Sequence, residues 1–454
     1  MQVRERDSSP RSIERGVRQL LANKVIDNFI GLWLLVPEHL RLGTWDMVCD
    51  WSGKPGSDRE PRMAMQLIHE AALCLTGVRG KNALTLKGFS LLNGLPFLAA
   101  DSAIHVLLNS HTVEQAEQLQ IVLGRKRFAR NHFQGRVIAI DPHRPRSFSR
   151  REMRRHCEEK ASKPFRTSQQ FFSFDVDAKQ PIAFTLSTSG HSVAKAAPAL
   201  LRVTAAILSQ ELVEAKQQDK QAPLLVADTE HCVTELADYV EQQTPFDILA
   251  PFPRQKKFKE RWRQVPPEEF TRHWAGYATS LQRFTFGRRG GEPYWEIVQR
   301  TGEQEDDWHF SGFLLTRPHD EVVSLTHDYP HRWYLEEYYN FHQAMGWNRA
   351  GTMNLHIRYH RLSMALLAQA ALSQLRARLG EPYCRWTAQH LAEELFRRMS
   401  GDVRVEEGRI VVTYYNAPPA VRECYENIRG DLRAEQVSTQ VPWLYDFELA
   451  FRFR

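Results

Sequence analysis

Between Arg136 and Ala250, short apolar runs alternate with helix-like stretches. That order limits the possible folds more than any other feature of the chain. Arg136 to Asp141 (RVIAID) carries four apolar residues, rich in β-branching, and closes on a carboxylate. A run of this length and composition reads as a buried strand. Gln169 to Asp175 (QQFFSFD) and Pro181 to Leu186 (PIAFTL) read as two further strands, with Asp177 to Gln180 as the turn between them. Ser192 to Gln210, rich in Ala, Leu and Val, reads as a long amphipathic helix. Pro223 to Asp228 (PLLVAD) is a fourth strand, again closed by a carboxylate. Thr234 to Gln243 is a helix opening on a threonine cap, and Phe246 to Ala250 is a fifth strand. The order β, β, β, α, β, α, β predicts an α/β domain built on a mixed sheet covered by helices.

The flanking segments read differently. Residues 1–130 are helical in pattern. Arg62 to Thr76 has apolar residues at helical spacing, and Thr112 to Gln115 (TVEQ) is a capping box. Gly77, Gly80, Gly88 and Gly94 with Pro96 punctuate the region into short helices. Such a bundle, leaving through Arg125, Lys126 and Arg127, suits a DNA-reading head or a packing and dimerisation domain. After Pro251 the alternation breaks. A basic run comes first (Arg254, Lys256, Lys257, Lys259, Arg261, Arg263). Strand-like stretches follow at Trp274 to Phe286, Pro293 to Arg300 and Trp308 to Thr316. This predicts a β-rich insertion over 251–318. Residues 131–250 and 319–380 are then two parts of one domain, and 381–454 forms a tail of unassigned role. The tail holds a helix from Thr387 to Met399, a hairpin about Glu407-Gly408 and a last strand.

Composition narrows the classes. The 454 residues are 42% hydrophobic and 25% charged, ordinary for a globular protein, and the net charge of +6 is compatible with nucleic acid. None of the six cysteines forms a CxxC pair, which argues against a zinc ribbon and fits a reducing compartment. The longest apolar run, Phe29 to Val36, is too short to span a bilayer, and the first residues carry no apolar secretion segment. A cytoplasmic, nucleoid-associated protein without membrane contact is expected.

Asp141 and Asp228 end strands that can lie side by side, and ligands bind in the crevice at strand ends. A third carboxylate lies in Tyr329 to Gln343 (YPHRWYLEEYYNFHQ). If that stretch is one helix, Arg332 and Glu336 share a face, with Tyr329 close by. Carboxylates crowded at one point repel unless cations separate them. Two Mg²⁺ ions would relieve the repulsion and serve phosphodiester chemistry. Arginine supplies a fork for phosphate and tyrosine a hydrogen bond. Asp175 and Asp177 compete with Asp141 for the first place, and Glu337 with Glu336 for the third. Glu230 and His231, just after Asp228, read as loop residues or as support for it. His143 and Arg144 lie next to Asp141 and could touch substrate.

These motifs resemble the DDE transposases of bacterial insertion sequences, in the group whose ribonuclease-H-like catalytic core is interrupted by a β-rich insertion. VIAID with Asp141 matches the family's first aspartate, and LLVAD with Asp228 the second. The family's Tyr-x2-Arg-x3-Glu-x6-Lys element is matched at Tyr329, Arg332 and Glu336, with Gln343 where the lysine falls. The match covers about residues 136 to 375. The resemblance implies a ribonuclease-H-like mixed sheet flanked by helices, with Asp141, Asp228 and Glu336 holding two Mg²⁺, for which Mn²⁺ can substitute. It implies cleavage at transposon ends and strand transfer into target DNA by a dimer that holds both ends together. Tyr329, Arg332 and Gln343 would bind DNA near the cut. Arg144, Arg150 and Arg151, with Arg146, Arg154, Arg155, Lys160, Lys163 and Arg166, would track its backbone. A metal-dependent nuclease on the same fold, or a catalytically inactive DNA-binding relative, are the alternative readings.

Overall fold

The computed structural model describes residues 9–27, 29–75, 87–147, 155–156, 163–188, 190–208, 222–286, 294–347 and 352–454. Its contacts divide the chain into two units, residues 124–339 and residues 1–123 with 340–454. No described helix is long and apolar enough to cross a membrane.

The unit of residues 124–339 is built on one nine-stranded sheet. Its strands are β1 (Val137–His143), β2 (Ser168–Asp175), β3 (Gln180–Thr188), β4 (Leu224–Ala227), β5 (Asp247–Pro251), β6 (Thr271–Trp274), β7 (Tyr277–Phe284), β8 (Tyr294–Thr301) and β9 (His309–Leu315). The order across the sheet is β3-β2-β1-β4-β5-β9-β8-β7-β6. The three central strands β1, β4 and β5 are parallel, and every other pairing is antiparallel. A central strand covered on both faces needs a continuous apolar run. Accordingly Leu224, Leu225, Val226 and Ala227 are all at most 2% exposed. Burying each of the larger side chains is worth about 1.5–3 kcal/mol.

The pleat assigns the faces, because cross-strand partners point the same way. Ser173 on β2 accepts a hydrogen bond from Thr204 of helix α1 (Val193–Ile207) at 2.7 Å. Phe172 and Phe174, one step away, meet the rings of Tyr338 and Tyr339 instead. Helix α1 therefore covers one face, with α2 (Thr234–Gln243) beside it, and the helix carrying Glu336 covers the other.

The segment expected as a β-rich insertion is β-rich, but it is not a separate sheet. Strand β9 pairs with β5 from Leu249↔Leu315 to Pro251↔Phe313, so β6–β9 extend the main sheet by four strands. The reason is an open edge. Strand β5 ends the parallel set, and β9 satisfies its outward backbone groups. The strand expected from Trp274 to Phe286 is two, β6 and β7, turned at Gly276 with φ +72°. The basic run forms helix α3 (Lys256–Arg263), which packs on β9 through Trp262. Trp262 donates to the buried Glu296 at 2.6 Å, and Arg261 pairs with the same carboxylate. Lys256, Lys257, Lys259 and Arg263 stay exposed. The turn expected at Gly287 to Gly291 lies outside the described residues, as does the end of the helix expected to reach Gln210.

In the other unit, helices from Pro10–Leu21 to Asp101–Asn109 gather with the long helix Leu355–Leu379. The capping box is present, with Gln115 Oε1 accepting from the Thr112 N–H at 2.8 Å. Gly88 does not break a helix as expected but sits inside Lys87–Leu92. A Cβ there would lie 2.2 Å from Asp27, so the glycine permits close packing, and Gly94 with φ +69° makes the turn. Gly77 and Gly80 lie outside the described residues. Gly401–Glu406 and Arg409–Tyr414 form the expected hairpin, and Phe447–Phe453 adds to it in parallel. A strand absent from the sequence expectation, Val25–Asp27, completes the far edge. The expected helix from Thr387 to Met399 is a single turn, Ala388–Leu391, continued by a wide π-turn to Phe396.

Candidate active site

Asp141 does not end its strand: β1 runs on to His143 through its pairing with β2. What ends there is the parallel pairing with β4, whose last pair is Ile140↔Ala227. Asp141 and Asp228 are each one residue beyond that pair. They are therefore level on adjacent strands, about 5 Å apart along the sheet by ordinary strand spacing. Asp141 pairs with Phe172 and so points to the face that carries Tyr338 and Tyr339. Asp228, following inward-facing Ala227, alternates to that same face.

The stretch Tyr329 to Gln343 is not one helix. Ser324–Asp328 forms a π-turn, Pro330–Arg332 a 3₁₀ turn, α4 runs over Trp333–His342, and Gln343–Met345 is another 3₁₀ turn. Pro330 cannot donate to the turn before it, which accounts for the break. Tyr329 and Trp333 keep right-handed backbone angles, so Arg332 and Glu336 still share a face. Leu335, Tyr338 and Tyr339 bury one side of α4. The Tyr339 hydroxyl donates to the Asp141 carbonyl at 3.1 Å, and its ring stacks on His143 at 4.4 Å. This places Glu336, one turn earlier, at the strand ends.

Arg332 joins the carboxylates, donating to Asp141 Oδ2 at 3.3 Å and to Glu336 Oε1 at 3.5 Å. Asp228 Oδ1 accepts from His231 Nδ1 at 2.5 Å and from the Glu230 N–H at 3.1 Å. Burial drives the Asp141 carboxyl up to about 7, against the pull of Arg332 and His231 and with the push of Asp228 and Glu336. Burial also opposes ionisation of Asp228, but the His231 hydrogen bond, with the charges of His231, Arg332 and Arg144, outweighs it and holds Asp228 below the usual range. Burial lowers Arg332, yet Asp141, Tyr329, Glu336 and Asp228 together hold it above its ordinary value. Tyr329 is raised, mainly by burial, with Arg332 opposing. Asp141, Asp228, Glu336, Arg332 and Tyr329 thus share one electrostatic site.

The other expected residues fall elsewhere. Gln343 is exposed in its own turn and groups with the second unit. Arg144 pairs with Glu230, and Arg146 lies 4.1 Å over the Phe165 ring. Arg150, Arg151, Arg154 and Lys160 lie outside the described residues. The rival carboxylates have other work. Asp175 accepts backbone N–H groups from Gln134, Gly135 and Ala178 at the opposite end of β1, Asp177 pairs with Arg136, and Glu337 is exposed. Sequence reasoning missed Tyr339, although it lies three residues after Glu336, where a helix brings side chains together.

The donor types suit a hard divalent cation. Each carboxylate has one oxygen bound as described, while Asp141 Oδ1, Asp228 Oδ2 and Glu336 Oε2 have no protein donor among the described residues. The three are not gathered into a closed ligand cage: among the described residues no group of three or more His, Cys, Asp or Glu is so placed. The Arg332 guanidinium lies between two of them instead.

No protein-family model matches the sequence, and no curated protein matches it. Among solved structures, the chain is similar to the cryo-EM structure of a piggyBac transposase synaptic complex with hairpin DNA. The TM-score is 0.41 and the identity 11%, over 82% of each chain. A likeness of that strength fixes neither fold nor function.

Proposed function

We propose that this chain is a DNA transposase of the DDE type, with a ribonuclease-H-like core, that cuts at transposon ends and transfers the freed strand into target DNA. The observation that supports the reading is that Asp141 and Asp228 lie level just past the last pair of two adjacent parallel strands, while Arg332 donates to both Asp141 and Glu336. Asp141, Asp228 and Glu336 would hold the two Mg²⁺, through the oxygens that lack a protein donor. Bound there, the ions would supply activation of a water or 3′-hydroxyl and stabilisation of the leaving oxygen.

The chain's own groups do the rest. Asp141 must shed its proton to act as a ligand, while Asp228 stays ionised at lower pH. Environments that separate two carboxylates in this way let neighbouring groups take different roles. Arg332 and Tyr329 offer donors to a phosphate at the strand ends. Helix α3 follows β5 directly, and β5 runs parallel to β4, so Arg254, Lys256 and Lys257 begin at the same edge of the sheet as Asp228. Those cations suit a DNA backbone. The working form would be a dimer that joins two DNA ends.

The test is a Mg²⁺-dependent cleavage and joining assay on DNA carrying the gene's own flanking ends, with Glu336→Gln beside the wild type. Cutting and joining by wild type alone supports the proposal. Cutting without joining points to a nuclease. Binding with no cutting by either protein points to an inactive DNA-binding relative. A variant that cuts as well as wild type removes Glu336 from the site.

A further inference from the structure

Asp228 is held in an unusual way for a carboxylate at a strand end. It caps the short 3₁₀ turn Thr229–His231, accepting from the Glu230 N–H. A cap of this kind is ordinarily held by a single side-chain oxygen that accepts from a backbone N–H of the first turn. Here the side chain three residues on, His231, grips the same oxygen at 2.5 Å. The His231 ring is 1% exposed, and its turn packs against α1 and β5. A carboxylate accepts, so the proton on the facing nitrogen is on Nδ1. The far nitrogen, Nε2, is buried and has no hydrogen-bond partner in the described structure. The imidazole therefore makes its hydrogen bond to Asp228 through Nδ1, and its position is set by the packing around it.

We infer that His231 is a positioning residue for the divalent-cation site: it locks Asp228 Oδ1 so that Oδ2 faces the crevice shared with Asp141 and Glu336. The inference rests on the proposed metal-holding role of Asp228. Two donors saturate one oxygen in a fixed direction, and the carboxylate then has one orientation in which to present the other. Without His231, Asp228 keeps only the longer Glu230 contact, and a single donor on Oδ1 leaves the carboxylate free to turn about it, so that Oδ2 is no longer held toward the crevice.

The test uses the full chain and Mn²⁺ as probe, with affinity read by calorimetry and folding by thermal melting. His231→Asn places an amide N–H near the position of Nδ1, and His231→Gln places it near Nε2. Both keep a polar side chain of similar bulk, so they separate donor position from simple loss of packing. His231→Asn is expected to bind Mn²⁺ within a few-fold of wild type. His231→Gln and His231→Leu are expected to bind about 10–100-fold more weakly, the usual scale for loss of a group that orients a ligand. Equal affinities for the Asn and Gln variants, whether both strong or both weak, overturn the inference while leaving the metal site standing. The Asn/Gln pair decides the matter even if His231→Leu does not fold. Asp228→Asn is the reference for the site itself. If wild type binds Mn²⁺ no better than Asp228→Asn, the metal-holding role falls and the inference with it.

Discussion

Asp141 illustrates how much one residue's surroundings change its chemistry. Its carboxyl moves from an ordinary 3.8 up to about 7, chiefly through burial. The native state therefore binds this proton more tightly than the unfolded chain does. The resulting stability is fully present below about pH 3.8 and is lost as pH rises through about 7. At pH 8 without divalent cations, burying the ionised group costs on the order of 4 kcal/mol. Asp141→Asn removes that cost. Its melting temperature relative to wild type, measured in EDTA, should climb between pH 5 and pH 8. A difference that stays flat across that range would show that Asp141 does not titrate there. Tyr339 holds the same residue by its main-chain carbonyl. Tyr339→Phe keeps the ring on His143 but leaves the Asp141 carbonyl without its donor, at a cost of about 1 kcal/mol in denaturant unfolding. No change in the midpoint would mean that the hydrogen bond does not tie α4 to β1.

At the scale of elements, the decisive contact is between helix α3 and strand β9. Gly312 lies under Trp262, and an added Cβ would fall 2.4 Å from the indole ring. The strand cannot yield, because it is paired on both sides. Gly312→Ala should therefore lift α3 and cost about 1–3 kcal/mol, the usual range for overpacking. Chemical denaturation would measure it, and a neutral result would mean that α3 is loosely seated. The same contact buries Glu296, whose carboxyl is raised mainly by burial, against the hydrogen bond from Trp262 and the charge of Arg261. A helix held by a tryptophan and a buried carboxylate can turn its lysines outward without contributing them to the core.

At the scale of the whole molecule, the net charge of +6 says little, and the placement of charge says more. Lys256, Lys257 and Lys259 are exposed on α3, which starts at the sheet edge that carries Asp228. If they track a duplex backbone, replacing all three by alanine should weaken binding across sequences. It should also reduce the slope of log affinity against log salt by about 3, since each phosphate that the protein neutralises adds about 0.9 to that slope. Filter binding over a range of salt concentrations would read it. An unchanged slope would take α3 out of the DNA path, and the melting temperature should not move in either case.

The local alphabet determined much of this protein. Apolar runs closed by aspartate specified β1 and β4, because a strand covered on both faces must be continuously apolar. The Thr112 capping box and the hairpin at Glu407-Gly408 were legible for the same reason, since their signals lie within a few residues. The four-residue spacing of Arg332 and Glu336 survived a break in the helix, because right-handed backbone angles persist across it. Only the tertiary structure decided the rest. It joined β9 to the open edge of β5, about 65 residues away. It also turned Gly88 from a break into a packing site against Asp27, and drew Val25–Asp27 into a sheet made mostly of the tail. It placed Tyr339 and His231 behind the two aspartates and set the Arg332 guanidinium between Asp141 and Glu336. Those outcomes depend on which surfaces meet after the chain has closed on itself, and periodicity along the chain does not encode such meetings.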